Sequence, residues 1–369
     1  HNTTVDRLGG HSTYPCCMRF TRLAHWVPTT NRRVTHPALT LSRRALLGIT
    51  VAAGVLAGAD VQLSVSTQAA VYLFGMVALN LPHGGYEHFT NLRRRAGQFR
   101  FRYVGAYLVM VAAFLGLFLV APLAGLAVAV AIACLKGGLG GLHVLDVTSG
   151  TDHLASRWQR WLAVAVRGGV VMLVPLALQP GTFSAYSTYM VSMFDPAAIG
   201  PFYEQFGTKR LLAGGGWLAL AGVHVGAGYL RGGGRSWQVD AGETALLGLY
   251  FAVVPVVVAV GLYFPLWYSA RQVARHEQVD RDSDPGGDLL DGDSTTEVAL
   301  RAWAMLVAGA IATGTVVAAI WLLAPNPLGT APLLPGLVAF WSISISLIAL
   351  PHVAIGSLAD RQGGIWYVP

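Results

Sequence analysis

Charged side chains are scarce in this sequence: Asp, Glu, Lys and Arg together make up only 12% of its 369 residues. A soluble globular domain has about 25% of such residues. Hydrophobic residues make up 54% of the chain, and the mean hydropathy is +0.53. The scarcity of charge therefore excludes an ordinary soluble protein with a large core and predicts an integral membrane protein.

Cysteine is also scarce, with three residues in the whole chain. Cys16 and Cys17 are adjacent in a polar segment, whereas Cys134 lies inside an apolar run. Because no CxxC pair is present, the sequence predicts neither a zinc ribbon nor a disulfide framework. The phosphate-binding glycine motifs and the nucleophile elbow of serine hydrolases are missing as well, which excludes those enzyme classes at the level of motifs.

The excess of positive charge does not indicate a nucleic-acid partner. The formal net charge is +7, but the arginines fall in short segments beside apolar runs, where they set the orientation of membrane helices. We therefore expect the chain to lie in the lipid bilayer and to bind no nucleic acid.

Long apolar runs dominate what is present. They predict an all-α, multispanning integral membrane protein with about eight or nine transmembrane helices. The segment 181–208 is not a clean span and reads as a loop, an interfacial helix or a re-entrant element. The predicted spans are 45–59, 67–82, 103–120, 122–142, 161–179, 209–230, 243–265, 298–323 and 333–352.

The domain organisation is simple. Residues 1–40 are polar and basic and are predicted to form a disordered tail, and residues 41–369 are predicted to form a single transmembrane helical domain. The acidic stretch 280–297 within it predicts a solvated flexible loop. Arg43 and Arg44 precede the first apolar run, so this region reads either as a twin-arginine export signal or as a first membrane helix with basic anchors. Because further spans follow, the helix is favoured.

Histidines occur where lipid is expected, beginning with the stretch LNLPHGGYEH at residues 79–88. His83, His143, His224 and His352 lie in or at the ends of four different apolar segments. Polar groups there are costly and tend to mark functional sites, although a single histidine can simply hydrogen-bond another helix. Neutral imidazole is a common ligand of iron, copper, nickel and zinc, so a metal site is predicted without the spacing naming the metal.

Two carboxylates accompany these histidines. Glu87 follows His83 by four residues and Asp146 follows His143 by three, which puts each carboxylate on the helix face of its imidazole. A carboxylate that accepts the distal N–H orients a metal-bound histidine. Glu87 and Asp146 are therefore candidates to support the ligands, and the alternative is that they are polar groups at helix ends.

Three segments resemble one known family. LPHGGYEH, GGLHVLD and the carboxyl-terminal LPHVAIGSLADRQGGIWYVP are similar, in order and spacing, to the bacterio-opsin-related protein family (Brp/Blh), and the resemblance covers about residues 45–369. It implies a multispanning dioxygenase of the cell membrane that splits β-carotene with O2 at the central 15,15′ double bond into two molecules of all-trans-retinal. It further implies Fe(2+) held by four histidines and a functional link to an opsin.

The resemblance carries over two of the four histidine ligands. His83 matches the histidine of the first motif and His143 that of the second. In the late stretch LWYSARQVARH the two remaining positions fall on Tyr268 and Gln272, neither of which is histidine. Those two residues, one helical turn apart, are weaker ligand candidates, as are His224 and His352; His276, one further turn on, is another.

Three functions follow from these observations. The first is an iron-dependent β-carotene 15,15′-dioxygenase. The second is a catalytically degenerate paralogue that binds carotenoid or retinal, or assists chromophore supply to an opsin, without turnover; Tyr268 and Gln272 favour it. The third is a transporter or channel. The lack of repeated halves with matching broken helices and of a charged ring or filter pattern disfavours it.

Overall fold

The computed structural model describes residues 36–80, 101–275 and 294–362. Contacts divide the chain into His1–Arg33 and Val34–Pro369, and all described residues belong to the second unit. Residues 1–35 of the predicted tail and most of the predicted acidic loop lie outside the described residues, so both stay predictions. Residues 37–40 of the predicted tail belong instead to the first helix. The first helix begins at Pro37, with the His36 side chain accepting a hydrogen bond from the Ala38 N–H.

The described residues are helical apart from short connections, which confirms the all-α prediction for them. The bounds are α1 Pro37–Gly58, α2 Val65–Leu73 with a π-helical continuation Phe74–Asn80, α3 Phe101–Val120, α4 Pro122–Thr148, α5 Arg157–Leu178, α6 Pro180–Ser192, α7 Gly200–Tyr203, α8 Phe206–Leu230, α9 Gly234–Val253, α10 Val256–Tyr263 with a π-helical continuation Phe264–Ser269, α11 Thr295–Leu323 and α12 Leu333–Gln362.

Length and composition identify five of these helices as able to cross a membrane, which supports a membrane protein but not a count of eight or nine spans. Shorter apolar helices cover Val65–Asn80, Gly105–Val120 and Val307–Leu323. The five long helices are α1, α4, α5, α8 and the part of α12 that runs from Leu333 to Ala354.

Glycine lets α4 and α5 pack at very short range. A Cβ on Gly138 of α4 would collide with the Val164 carbonyl of α5, and a Cβ on Gly168 of α5 would collide with the Cys134 carbonyl of α4. Small residues at such contacts are the usual means by which membrane helices approach closely. The glycine-rich stretch of α4 therefore serves packing, and it presses the segment that carries His143 against α5.

The predicted span 243–265 is not one continuous helix, because the helix breaks at Pro255. Val254 is extended there, as the residue before a proline tends to be, and proline offers no N–H to continue the helix. The Gln179 side chain covers the break. Its amide nitrogen donates to the carbonyls of Phe251 and Val254, and its amide oxygen accepts from the Val256 N–H.

Two π-helical segments pack against each other. A Cβ on Gly75, in the first segment, would collide with the Gly261 carbonyl that precedes the second. At the far end Ser269 donates a hydrogen bond to the Asn80 side chain over 2.8 Å. Such segments within α-helices occur frequently at functional sites. This hydrogen bond joins Asn80, three residues before His83, to the helix that carries Tyr268.

The uncertain segment 181–208 is largely helical. After α6 the chain makes a 3-10 turn over Pro196–Ile199, then the short α7, and α8 starts at Phe206. Tyr186, Ser187, Val191 and Ser192 of α6 are buried, so this helix packs within the bundle. The structure therefore gives this segment a helix followed by short turns.

Candidate functional site

Several predicted site residues cannot be placed. His83 and Glu87 lie outside the described residues, as does His276. Their assignments as ligand, supporting carboxylate and alternative ligand stay predictions. The described residues nevertheless place the other candidates.

His143 lies on α4 and is half-buried. Gly140 precedes it by three residues and so shares its helix face. A Cβ on Gly140 would lie 2.5 Å from Cε2 of Tyr268 and 2.9 Å from Nε2 of Gln272. The fold therefore brings Tyr268 and Gln272, the two positions that the family resemblance matched to its late ligand pair, onto the face of α4 that carries His143.

The Gln272 amide is held at both ends. Its nitrogen donates to the Gly140 carbonyl over 3.4 Å, and its oxygen accepts from Arg275 over 2.8 Å. The oxygen is the amide atom that could bind a metal. Because Arg275 already donates to that oxygen, the arrangement favours Gln272 as a fixed packing contact over a ligand.

The Asp146 carboxylate accepts hydrogen bonds from two side chains near the carboxyl end of α4. It accepts from Arg160 over 2.6 Å and from Thr151 over 2.6 Å. These contacts tie the carboxyl end of α4 to the start of α5. The predicted role of Asp146 in orienting His143 stays a prediction.

The two weaker histidine candidates lie on different helices. His224 is buried on α8, where its Nε2 is 3.0 Å from Oδ2 of Asp240. His352 is half-buried on α12, next to Pro351. In the part of the chain that the structure describes, no group of three or more His, Cys, Asp or Glu side chains is arranged to hold a metal ion.

A buried ionic network lies beside this site. It was not predicted from the positions of the histidines. It consists of Arg43, His153, Arg167, His224, Ser236, Asp240, Glu243 and Arg271. The network joins α1, α5, α8, α9, the α4–α5 connection and the helical turn that follows the second π-helical segment. Three guanidinium groups face two carboxylates in it, which leaves one positive charge in excess when both imidazoles are neutral.

Glu243 is the centre of one half of the network. It is 3% exposed and accepts from Arg271 over 2.7 and 2.8 Å, from Arg167 over 2.9 Å and from Arg43 over 2.7 and 2.9 Å. The Arg271 guanidinium also lies over the Trp267 ring, 4.2 Å from its centroid. Paired hydrogen bonds of this kind fix both the distance and the orientation of the two groups.

Asp240 is the centre of the other half and is 1% exposed. Its Oδ1 accepts two hydrogen bonds from Arg167, over 2.9 and 2.7 Å. Its Oδ2 lies 2.9 Å from Nε2 of His153 and 3.0 Å from Nε2 of His224. Since Oδ2 is an acceptor, both imidazoles donate through Nε2, and Nδ1 of His153 is then available to the Ser236 hydroxyl at 3.1 Å.

The network touches both elements of the candidate site. Arg271 lies between Tyr268 and Gln272 in the chain, and Nη1 of Arg167 is 3.4 Å from the position of a Cβ on Gly141, next to Gly140. The signal for this network was present in the sequence. Arg167 and Glu243 are charged residues inside or at the start of predicted apolar spans, where the same cost argument that singled out histidine applies.

Comparison with known proteins supplies the family. A sequence model of the family described as Beta-carotene 15,15'-dioxygenase matches residues 74–360. The chain is 54% identical over 338 residues to the Probable beta-carotene 15,15'-dioxygenase Brp of Halobacterium salinarum strain R1, with 90% of this chain and 94% of that protein covered.

A second relative is more distant. The chain is 32% identical over 347 residues to the Probable beta-carotene 15,15'-dioxygenase Blh of Halobacterium salinarum strain NRC-1, with 90% of this chain and 95% of that protein covered. No solved structure matches the chain. The resemblance drawn from the three sequence segments is confirmed, and the chain belongs to the beta-carotene 15,15'-dioxygenase family.

Proposed function

We propose that this chain cleaves β-carotene at its central 15,15′ double bond with O2 and releases two molecules of all-trans-retinal. The observation that carries the proposal is the 54% identity to the relative named Brp, which extends over 90% of this chain. The convergence of Tyr268 and Gln272 on the His143 face of α4 supports it, because the family pattern places its late ligand pair at those two positions.

The bundle suits such a substrate. β-Carotene is a long hydrocarbon that dissolves in the bilayer, and O2 also partitions into lipid. An enzyme built from apolar helices can receive both from the membrane without exposing them to water. We propose that the chain crosses the cell membrane eight or nine times, with the shorter apolar helices and the α9–α10 pair adding to the five long ones.

Fe(2+) is the proposed cofactor. The half-buried imidazole of His143 and the phenol of Tyr268 are donors on facing elements, and His83 would add a second imidazole. The fit is partial, because the described residues alone hold no group of three or more His, Cys, Asp or Glu side chains arranged for a metal. Bound iron would supply the activation of O2 that carbon–carbon bond cleavage needs.

The chain's own residues would hold this arrangement rigid. Glu243 fixes Arg271, and Arg271 in turn fixes the helical turn that presents Tyr268 and Gln272 to α4. Arg167 joins the same network to the neighbourhood of Gly141. Groups held by paired charged hydrogen bonds need little reorganisation during a reaction.

The second candidate function is binding without turnover, in which the chain would hold carotenoid or retinal or assist supply of the chromophore to an opsin. The observation that favours it is the Gln272 amide oxygen, which accepts from Arg275. With Tyr268 and Gln272 in place of two histidines, fewer strong ligands remain for iron.

Retinal formation in cells tests the proposal. Bacterial cells that make β-carotene would express the chain, and their extracts would be analysed for retinal by chromatography. We expect retinal from the wild type and none from His143→Ala. Thr315→Ala is the control, because the Thr315 hydroxyl is exposed on α11 and donates to the Ile311 carbonyl of its own helix.

The same assay separates the two candidate functions. The double variant Tyr268→His, Gln272→His restores the family's histidine pair. Retinal from the double variant, with none from the wild type, would show that Tyr268 and Gln272 prevent turnover and would favour the second candidate function. Retinal from the wild type, with a matching iron content in the purified chain, would establish the dioxygenase, and an active chain free of iron would overturn the cofactor.

A further inference from the structure

Lysine is almost missing from this chain. Lys and Arg together number 25, and only Lys136 and Lys209 among them are lysines. Arginine therefore supplies nearly every positive charge, including the three that form the buried network. A lysine inside a membrane helix of this chain is unusual, because a charged group in the membrane is costly.

Lys136 lies near the middle of α4, a helix long and apolar enough to cross a membrane, and is half-buried. Its Nζ is 5.3 Å from the centroid of the Tyr268 ring. Lys136, Gly140 and His143 are spaced by four and then three residues, so all three share one face of α4. Seven residues of helix span about 10 Å, which a lysine side chain partly covers.

Lysine and arginine differ in the chemistry that this position allows. A lysine amine can attack an aldehyde and form a Schiff base, whereas a guanidinium group stays charged and does not. The proposed reaction generates two aldehydes, because cleaving a carbon–carbon double bond with O2 leaves a carbonyl on each half. The aldehyde would form beside His143, on the helix face that carries Lys136.

We propose that Lys136 captures one retinal molecule as a Schiff base, an inference that rests on the proposed function. In its neutral, unprotonated form the Lys136 amine attacks the aldehyde carbon through Nζ, a C=N bond replaces the C=O bond, and the carbonyl oxygen leaves as water with the two amine hydrogens. No electrons are exchanged. The captured retinal is kept from reacting with amines of membrane lipids until water reverses the bond and releases it.

Chemical trapping tests this capture on the full chain in detergent. The purified protein would be incubated with all-trans-retinal and then treated with sodium cyanoborohydride, which reduces an imine to a stable amine. Peptides would be mapped by mass spectrometry. We expect a retinyl group on the peptide that contains Lys136 and its loss in Lys136→Arg, which keeps the charge and removes the amine.

Lys209 provides the internal control. It is exposed, and its Nζ donates to the Pro201 carbonyl over 2.8 Å. Lys209→Arg is expected to leave the adduct on Lys136 unchanged. A short aldehyde, propanal, is expected to label Lys209 in preference to Lys136, since it does not need an apolar site and the exposed amine is more accessible.

The outcomes are distinct from those of the cleavage assay, because added retinal replaces retinal made by the enzyme. A retinyl group on Lys136 of the wild type supports the capture and requires no variant to fold. An adduct on Lys209 alone, an equal adduct on both lysines, or no adduct at all overturns it. Absence of retinal in the carotene-producing cells, by contrast, counts against the proposed function.

Discussion

Arg271 and Glu243 form a bidentate ion pair in the interior of the bundle. Nη1 and Nη2 of the guanidinium donate to the two carboxylate oxygens over 2.7 and 2.8 Å, and the residues are 1% and 3% exposed. Because Tyr268 and Gln272 flank Arg271 in the chain, this pair sets the position of both against Gly140 of α4. The ion pair is thus the link between the buried network and the candidate site.

Glu243→Gln is expected to destabilise the protein strongly. The change leaves Arg271, Arg167 and Arg43 facing a neutral amide, and breaking a buried pair by removing one partner costs about 3–5 kcal/mol. The free energy of unfolding would be measured by titrating the protein with SDS in mixed micelles.

Glu297→Gln is the control for that substitution. Glu297 is a half-exposed residue of α11 that pairs with Arg301 one helical turn away. Exposed pairs of this spacing contribute about 0.3–0.5 kcal/mol. Equal losses in the two variants would show that the network of Glu243 does not stabilise the bundle.

Gly138→Ala is expected to lower the free energy of unfolding by about 1–3 kcal/mol, the usual cost of overpacking. The added methyl group would collide with the Val164 carbonyl, and backbone cannot move aside as a flexible side chain can. Gly216→Ala on α8 is the control. A Cβ added there meets no other atom within 4 Å, so this change should raise the free energy of unfolding by about 0.4–1 kcal/mol. A neutral Gly138→Ala would mean that α4 and α5 are farther apart than described.

Gln179→Ala is expected to weaken the junction of α9 and α10. The substitution leaves the Phe251 and Val254 carbonyls and the Val256 N–H without their side-chain partner, and each buried unsatisfied group costs about 1–3 kcal/mol. Gln68→Ala removes a single hydrogen bond to the Leu63 carbonyl and should cost about 0.5–1.5 kcal/mol. Thermal unfolding of both variants in detergent gives the comparison, and a smaller loss for Gln179→Ala contradicts the bridging role.

Tyr268→Phe is expected to retain the fold and to reduce retinal formation by at least the roughly 10–100-fold that loss of a residue supporting a metal ligand costs. The substitution keeps the ring that packs over Gly140 and removes only the hydroxyl. Tyr250→Phe is the matched control, because the Tyr250 hydroxyl donates to the Ala259 carbonyl away from the site. Retinal yield and iron content would be measured together, and an unchanged iron content in Tyr268→Phe argues against the phenol as a ligand.

The sequence predicted the helices well where hydropathy alone defines them. The predicted span 209–230 is α8, Phe206–Leu230, and the predicted span 103–120 is α3, Phe101–Val120. It failed at 243–265, because Val256, Val257 and Val258 continue the apolar run past Pro255 and hydropathy does not register a missing N–H. Weighting the proline more heavily would have found this break.

The sequence by itself determined that the protein is an all-α membrane protein of this family, since hydropathy and short motifs are local properties of the chain. It also identified His143, Tyr268 and Gln272 as candidate metal ligands. Only the tertiary structure decided that Gly140 is the surface on which Tyr268 and Gln272 pack, and that Asp240 and Glu243 bind arginines from distant helices. Partners that are far apart in sequence are selected by how helices pack, and packing depends on the shapes of both surfaces at once.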